Sequence, residues 1–142
     1  MVDKRIVVMS TLCCLIAAFT TPLLAAARET PGKYEFTVIA DGKTHVSTYC
    51  VTPAEADAVN ADEGSGRAYA EKAAKGACSV TTYQVRGETI SSTLSCGEGE
   101  RASKVTYHGD SFEGETTYSF PANGKRMVRV SHIKAKRVGA CK

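Results

Sequence analysis

The stretch Cys50-Val51-Thr52-Pro53-Ala54-Glu55 decides how this chain is built. A β-branched run from Thr44 to Val51 ends there, and a helix signal begins immediately after it. Thr52 is a favoured N-cap residue, Pro53 suits the first helical position, and Glu55 falls at N3. At that spacing the Thr hydroxyl and the Glu carboxylate satisfy orphan backbone donors reciprocally, as a capping box. A strand therefore hands over to a helix at a corner that also carries a cysteine. The signal is structural and names no chemistry.

Upstream of the corner, Tyr34, Phe36, Val38 and Ala40 alternate with Lys33, Glu35, Thr37 and Ile39, the period-two pattern of a half-buried strand. Asp41-Gly42 is a hairpin signal that makes Thr44 to Val51 the return strand. Downstream, Thr52 to Asn60 predicts one short helical piece, broken by Asp62-Glu63-Gly64-Ser65-Gly66. Arg67 to Lys75 predicts a second, Ala-rich piece closed by Gly76. Both are small-sided and suit a cover over one end of a sheet.

From Cys78 onward the pattern is strand after strand. Cys78 to Arg86 and Thr89 to Cys96 flank a Gly87-Glu88 turn, and Gly97-Glu98-Gly99-Glu100 forms the next loop. Ser103 to His108 and Phe112 to Phe120 flank Gly109-Asp110, and Pro121 to Gly124 turns the chain again. In the last strand, Lys125 to Val138, the phase shifts between Val128/Val130 and Ile133, which predicts a bulge near Ser131-His132. The expectation is a mainly β fold: an antiparallel meander of about seven strands, a curved sheet or open barrel, with one or two short helices after the second strand.

The first 27 residues read as a secretory signal peptide. Lys4 and Arg5 precede a hydrophobic run from Ile6 to Phe19, and Ala25-Ala26-Ala27 supplies the small residues a signal peptidase reads. An uncleaved anchor needs about 20 apolar residues, which this run reaches only if carried through Leu24. Lipidation at Cys13 or Cys14 would leave only Ile6 to Leu12 as the apolar segment. Cleavage after Ala27 leaves one β-rich domain, residues 28–142, with no stable membrane span and an expected periplasmic location.

That domain keeps Cys50, Cys78, Cys96 and Cys141, an even set that in an exported chain predicts two disulfides. Cys78 and Cys96 lie nine residues either side of Gly87, so they face each other across their hairpin. Cys50 then pairs with Cys141 by elimination. No Cys-x-x-Cys spacing points to zinc or redox chemistry.

Charge is unevenly spread. Residues 28–124 hold nine Lys/Arg against fourteen Asp/Glu, whereas residues 125–142 hold seven Lys/Arg and no acid. A basic end can serve anionic partners; the plainer reading is an edge strand protected from aggregation by Lys and Arg. Nucleic acid is not an expected partner. His45, His108 and His132 fall on separate strands, and Asp57, Asp62 and Glu63 lack the alternating oxygen ligands of a calcium loop. Ser103 and Ser111 have no nucleophile-elbow context. No catalytic, cofactor-binding or metal-binding residue can be named; the residues singled out are the four cysteines and the cap residues Thr52, Pro53 and Glu55. Tyr34, Tyr107, Tyr118, Phe112 and Phe120 read as core, with a cavity lining as the alternative.

The order of these features resembles a known family. Gly32-Lys33-Tyr34 is followed by Cys50-Val-Thr-Pro-Ala-Glu, by Cys78 and Cys96, by Gly109-Asp110-Ser111-Phe112 with Gly114, and by Arg137-Val138-Gly139-Ala140-Cys141. This resembles the exported bacterial family known as domain of unknown function 3617 over nearly all of residues 28–142. Tyr34 departs from it, standing where that family commonly has a tryptophan. The resemblance implies periplasmic export and a β-rich fold, and carries no assigned activity. The functional expectation is a non-enzymatic binding or interaction module of the cell envelope, taking a small apolar ligand or docking on another envelope protein. The alternative is a secreted inhibitor of a hydrolase such as lysozyme, with Gly97 to Arg101 as its inserted loop.

Overall fold

The computed structural model describes residues 26–142; the signal-peptide expectation falls almost wholly outside them. The chain runs β1 (Gly32–Ala40), β2 (Lys43–Val51), α1 (Pro53–Asn60), α2 (Glu63–Ala74), β3 (Ser79–Arg86), β4 (Thr89–Cys96), β5 (Gly99–Tyr107), β6 (Ser111–Ala122) and β7 (Lys125–Gly139). All seven strands join one antiparallel sheet in the order β2-β1-β7-β6-β5-β4-β3. The sheet is not closed: β2 and β3 are its edges, and the two helices connect one edge to the other. Among the described residues no helix is long and apolar enough to cross a membrane.

The period-two pattern gives the sheet two unlike faces. Tyr34, Phe36, Val105, Tyr107, Phe112, Ile133 and Ala135 share the apolar face, and Ala56 of α1 and Val51 complete its cluster. Tyr34 is fully buried, with its ring near those of Tyr49 and Phe112. Its hydroxyl donates to the carbonyls of Thr30 at 2.8 Å and Gly109 at 3.2 Å, so the buried polar tip is satisfied. Phe112 is core as well, whereas Tyr118 is 39% exposed and stacks on Phe120 towards the end of the β6–β7 hairpin, away from this cluster.

Four features differ from the sequence reading. First, α2 begins at Glu63, not Arg67. Asp62 is its N-cap and accepts from the Ser65 amide at 3.0 Å, which outweighs the two glycines in its first turn. Gly66 is buried there because a Cβ would lie 2.6 Å from the Tyr83 hydroxyl. Second, β6 and β7 pair without interruption from Ser111↔Lys136 to Ala122↔Lys125, so Ser131-His132 carries no bulge. The phase change has another cause: Val128 and Val130 lie on the polar face, 56% and 41% exposed, while Ile133 lies on the apolar one. The register shift falls instead at the Gly139 end of the β1–β7 pair.

Third, β7 is not an edge strand; it lies between β1 and β6. Two of its basic residues lie across from carboxylates, Lys134 between Glu113 and Thr37 and Lys136 between Glu35 and Ser111. The charge asymmetry along the sequence is thus met across strands at these two positions. Fourth, the β4–β5 connection is only Gly97-Glu98, because Gly99 already pairs with Cys96. Gly99 is buried where a Cβ would lie 2.8 Å from the Tyr118 hydroxyl.

Candidate functional site

The corner and the cysteines are structural. Thr52 caps α1: its hydroxyl accepts from the Glu55 amide at 3.3 Å, and its own amide donates to the Glu55 carboxylate at 2.7 Å. Pro53 occupies the first turn. Disulfides join Cys50 to Cys141, with Cα atoms 5.7 Å apart, and Cys78 to Cys96, with Cα atoms 4.2 Å apart. The second depends on an irregularity. Arg86 pairs with Thr89 and Thr82 with Thr93, a register that would carry Cys78 past Cys96. A shift at Thr81 sets Val80 against Leu94 and Ser79 against Ser95, which brings the cysteines opposite each other.

Of the concavities among the described residues, two bear on binding. On the polar face lies an open groove of about 960 Å³ that reaches from Ile39 across β7, β6, β5 and β4 to Thr82 and Gln84. Its floor alternates hydroxyls with paired charges: His132 Nδ1 lies 3.6 Å from Glu115, Lys104 is across from Glu115, and Thr89 bonds Thr106 at 2.9 Å. Every charge there has an opposite neighbour across a strand or is solvated. Ile39, Ala102 and Ile133 interleave with these groups, so the groove mixes polar and apolar surface.

The second is a cavity of about 260 Å³ between the helices and the apolar face. Its walls include Tyr49, Tyr69, Tyr83, Tyr107 and Phe112, with Glu29 and Glu55 among them. β2 contributes Tyr49, α2 Tyr69, β3 Tyr83, β5 Tyr107 and β6 Phe112. Glu29 comes from the segment ahead of β1, and that segment is clamped firmly. Asn60 Oδ1 accepts from the Glu29 amide at 3.0 Å, and Asn60 Nδ2 donates to the Glu29 carbonyl at 2.8 Å. Arg28 donates to the carbonyls of Val59, Ala61 and Gly87, finishing the carboxyl end of α1 where a cation is favoured. Thr30 and Arg28 bond Gly109 in the β5–β6 turn.

Glu29 is therefore buried, only 5% exposed, by its backbone's commitments. Its carboxylate has no hydrogen-bonding or ionic partner among the described residues. Desolvation, with the Glu55 charge adding to it, raises its pKa to about 7. Burial and the Glu29 charge push the phenols of Tyr49 and Tyr107 upward in turn, so both stay neutral. Sequence reasoning had Tyr107 and Phe112 as core or cavity lining; it missed Glu29, Tyr49, Tyr69 and Tyr83. Among the described residues no group of three or more His, Cys, Asp or Glu side chains is placed to hold a metal.

The fold and these features define a class: a small disulfide-braced open sheet whose apolar face is roofed by a helical pair, with an aromatic cavity beneath the roof. The family model described as "Protein of unknown function (DUF3617)" matches residues 29–141, and the chain belongs to that family. No curated protein and no solved structure matches the chain.

Proposed function

We propose that this is a non-enzymatic binding protein of the cell envelope, exported to the periplasm through a cleaved signal peptide, and that its ligand site is the cavity under α1 and α2. The observation that carries the reading is that cavity: a space of about 260 Å³ walled by aromatic rings and opening to solvent, in a core of few large side chains. Ligand sites are concave, mostly apolar and supplied with few polar groups, and here those groups are Glu29 and Glu55. The disulfides Cys50–Cys141 and Cys78–Cys96 suit an oxidising compartment. Hydrolase inhibition by an inserted loop has no comparable support, because Gly97-Glu98 is a two-residue turn with the Cys78–Cys96 bridge at its base.

Native mass spectrometry of the protein isolated from its own periplasm tests the proposal. The expected result is a small-molecule adduct that disappears when Tyr83→Ala and Tyr107→Ala open the cavity. A uniformly unliganded protein, or an adduct indifferent to those changes, would overturn it.

A further inference from the structure

We infer that the cavity takes a small organic cation, an alkylated ammonium group, with the aromatic rings around its alkyl shell and Glu29 as its counter-charge. The inference rests on the reading of this cavity as a ligand site and names the chemistry of the ligand.

The cavity walls carry two carboxylates, Glu29 and Glu55, and no Lys, Arg or His. The nearest guanidinium, that of Arg28, is already committed to the carbonyls of Val59, Ala61 and Gly87. Glu55 is half committed, holding the Thr52 amide and hydroxyl. Glu29 is the group left over: buried, clamped by its backbone, and without a partner for its charge. The Glu29 carboxylate oxygens keep contact only with the solvent of the cavity, and partial desolvation disfavours their charge, so the site favours a ligand that brings the opposite sign.

The walls then choose among cations. A hard metal ion asks for six or more oxygen ligands, whereas these walls combine two carboxylates with five aromatic side chains and small aliphatic ones. Ring faces attract cations through their quadrupoles, most strongly where water is excluded, and this is how aromatic cages hold quaternary ammonium groups. Tyr49, Tyr69, Tyr83 and Tyr107 come from four different elements, so rings border the space from several directions. A neutral apolar ligand of the same shape would fill the space and leave Glu29 uncompensated. The volume, about 260 Å³, lies just below the usual range for drug-sized ligands, about 300–1,000 Å³, and fits a compact head group rather than a long chain.

The proton is the competitor. With its pKa at about 7, Glu29 is half protonated near neutrality, so cation binding strengthens as pH rises. The other groups around it are Glu55 of α1, Tyr34 and Tyr49 of β1 and β2, Tyr69 of α2, Tyr83 of β3 and Tyr107 of β5, with Asp110, Arg28 and Arg137 further out. Burial pushes the phenols of Tyr34, Tyr49, Tyr83 and Tyr107 upward, so these four stay neutral, and Glu55 accepts from the Thr52 amide and hydroxyl.

The experiment titrates the purified exported protein with tetramethylammonium, with choline, and with 3,3-dimethylbutan-1-ol, the uncharged carbon isostere of choline. Calorimetry gives the affinity. Tyrosine fluorescence reports the site, because the chain has no Trp and four of its six tyrosines line the cavity. Saturable 1:1 binding of both cations is expected at pH 8, with the isostere at least tenfold weaker. Affinity for choline should fall roughly tenfold between pH 8 and pH 6, the change in ionised fraction across a pKa of about 7. Glu29→Gln should weaken choline at least tenfold and abolish the pH dependence. Equal binding of choline and its isostere overturns the cation while leaving the cavity a ligand site. Absence of saturable cation binding overturns the cation alone if the periplasmic protein carries a neutral adduct, and both readings if it carries none. Should Glu29→Gln fail to fold, the wild-type comparison of choline with its isostere decides.

Discussion

Glu29→Gln should make the protein's stability less dependent on pH, and the size of the effect follows from the burial of one carboxyl. In the fold the Glu29 pKa rises from 4.5 to about 7, and each unit of difference between folded and unfolded states corresponds to about 1.4 kcal/mol. The cavity is open at its mouth, so solvent screening reduces the nominal 3 kcal/mol or so to about 2 kcal/mol. The sign is fixed by which state holds the proton more tightly. The folded protein does, so the contribution is whole below about pH 4.5 and is lost as pH rises through about 7. Between pH 5 and pH 8 the wild type should lose about 2 kcal/mol through this group, and the Gln variant should not.

The assay is urea denaturation of ligand-free, non-reduced protein at pH 5 and pH 8, followed by far-UV circular dichroism. Every other side chain is common to both proteins, so the variant-minus-wild-type difference isolates position 29. A fixed offset from swapping a carboxyl for an amide does not matter; the change in that difference with pH does. A difference that stays constant from pH 5 to pH 8 would refute the placement of Glu29 in a desolvated site, and one that moves against the variant as pH rises would refute the sign.

Three further perturbations test the frame that holds the site. Thr52→Ala removes one side of the capping box and should cost about 1 kcal/mol in urea melts, and no loss of stability would refute the capping role. The bridges should rank by the loop each closes, 91 residues for Cys50–Cys141 against 18 for Cys78–Cys96; in the chain-entropy model their paired Ser replacements cost about 4–5 and about 3 kcal/mol, and the reverse order would show that native contacts dominate. Gly114→Ala should destabilise by roughly 1–3 kcal/mol in the same melts, because its Cβ would meet the Lys104 carbonyl and lie 2.8 Å from the Val105 Cα, backbone that cannot turn aside.

The β framework was legible because its signals are local. Alternation at Tyr34–Ala40, the Asp41-Gly42 and Gly87-Glu88 turns, and the Thr52–Glu55 box each lie within a few residues, and each appears where the local rule puts it. The errors came where a distant partner decides. Gly64 and Gly66 read as helix breakers, but the Asp62 cap and the Tyr83 ring packed on Gly66 make them part of α2. A basic C-terminal run reads as an edge strand until β1 is known to return and pair with its far side, giving Lys134 and Lys136 their Thr37 and Glu35 neighbours. Even the Cys78–Cys96 spacing was deceptive, since the turn is centred between Gly87 and Glu88, and the shift at Thr81 restores the pairing.

The cavity was illegible for a deeper reason. Its rings come from β2, α2, β3, β5 and β6, so no window of sequence holds two of the tyrosines at a meaningful spacing. Its carboxylate belongs to a short polar stretch, residues 28–31, just ahead of β1. That polarity is spent otherwise. Arg28 finishes α1, Asn60 holds the Glu29 backbone from both sides, and Gly109 ties down Arg28 and Thr30. Each of these bonds satisfies the backbone or a helix end, and none satisfies the Glu29 carboxylate. Stability alone would place an apolar side chain, or a paired one, at such a position. An unpaired acid held there by so many bonds from other groups is what a site for a cation requires, since preorganisation means meeting the cost of the buried charge in the fold before the ligand arrives.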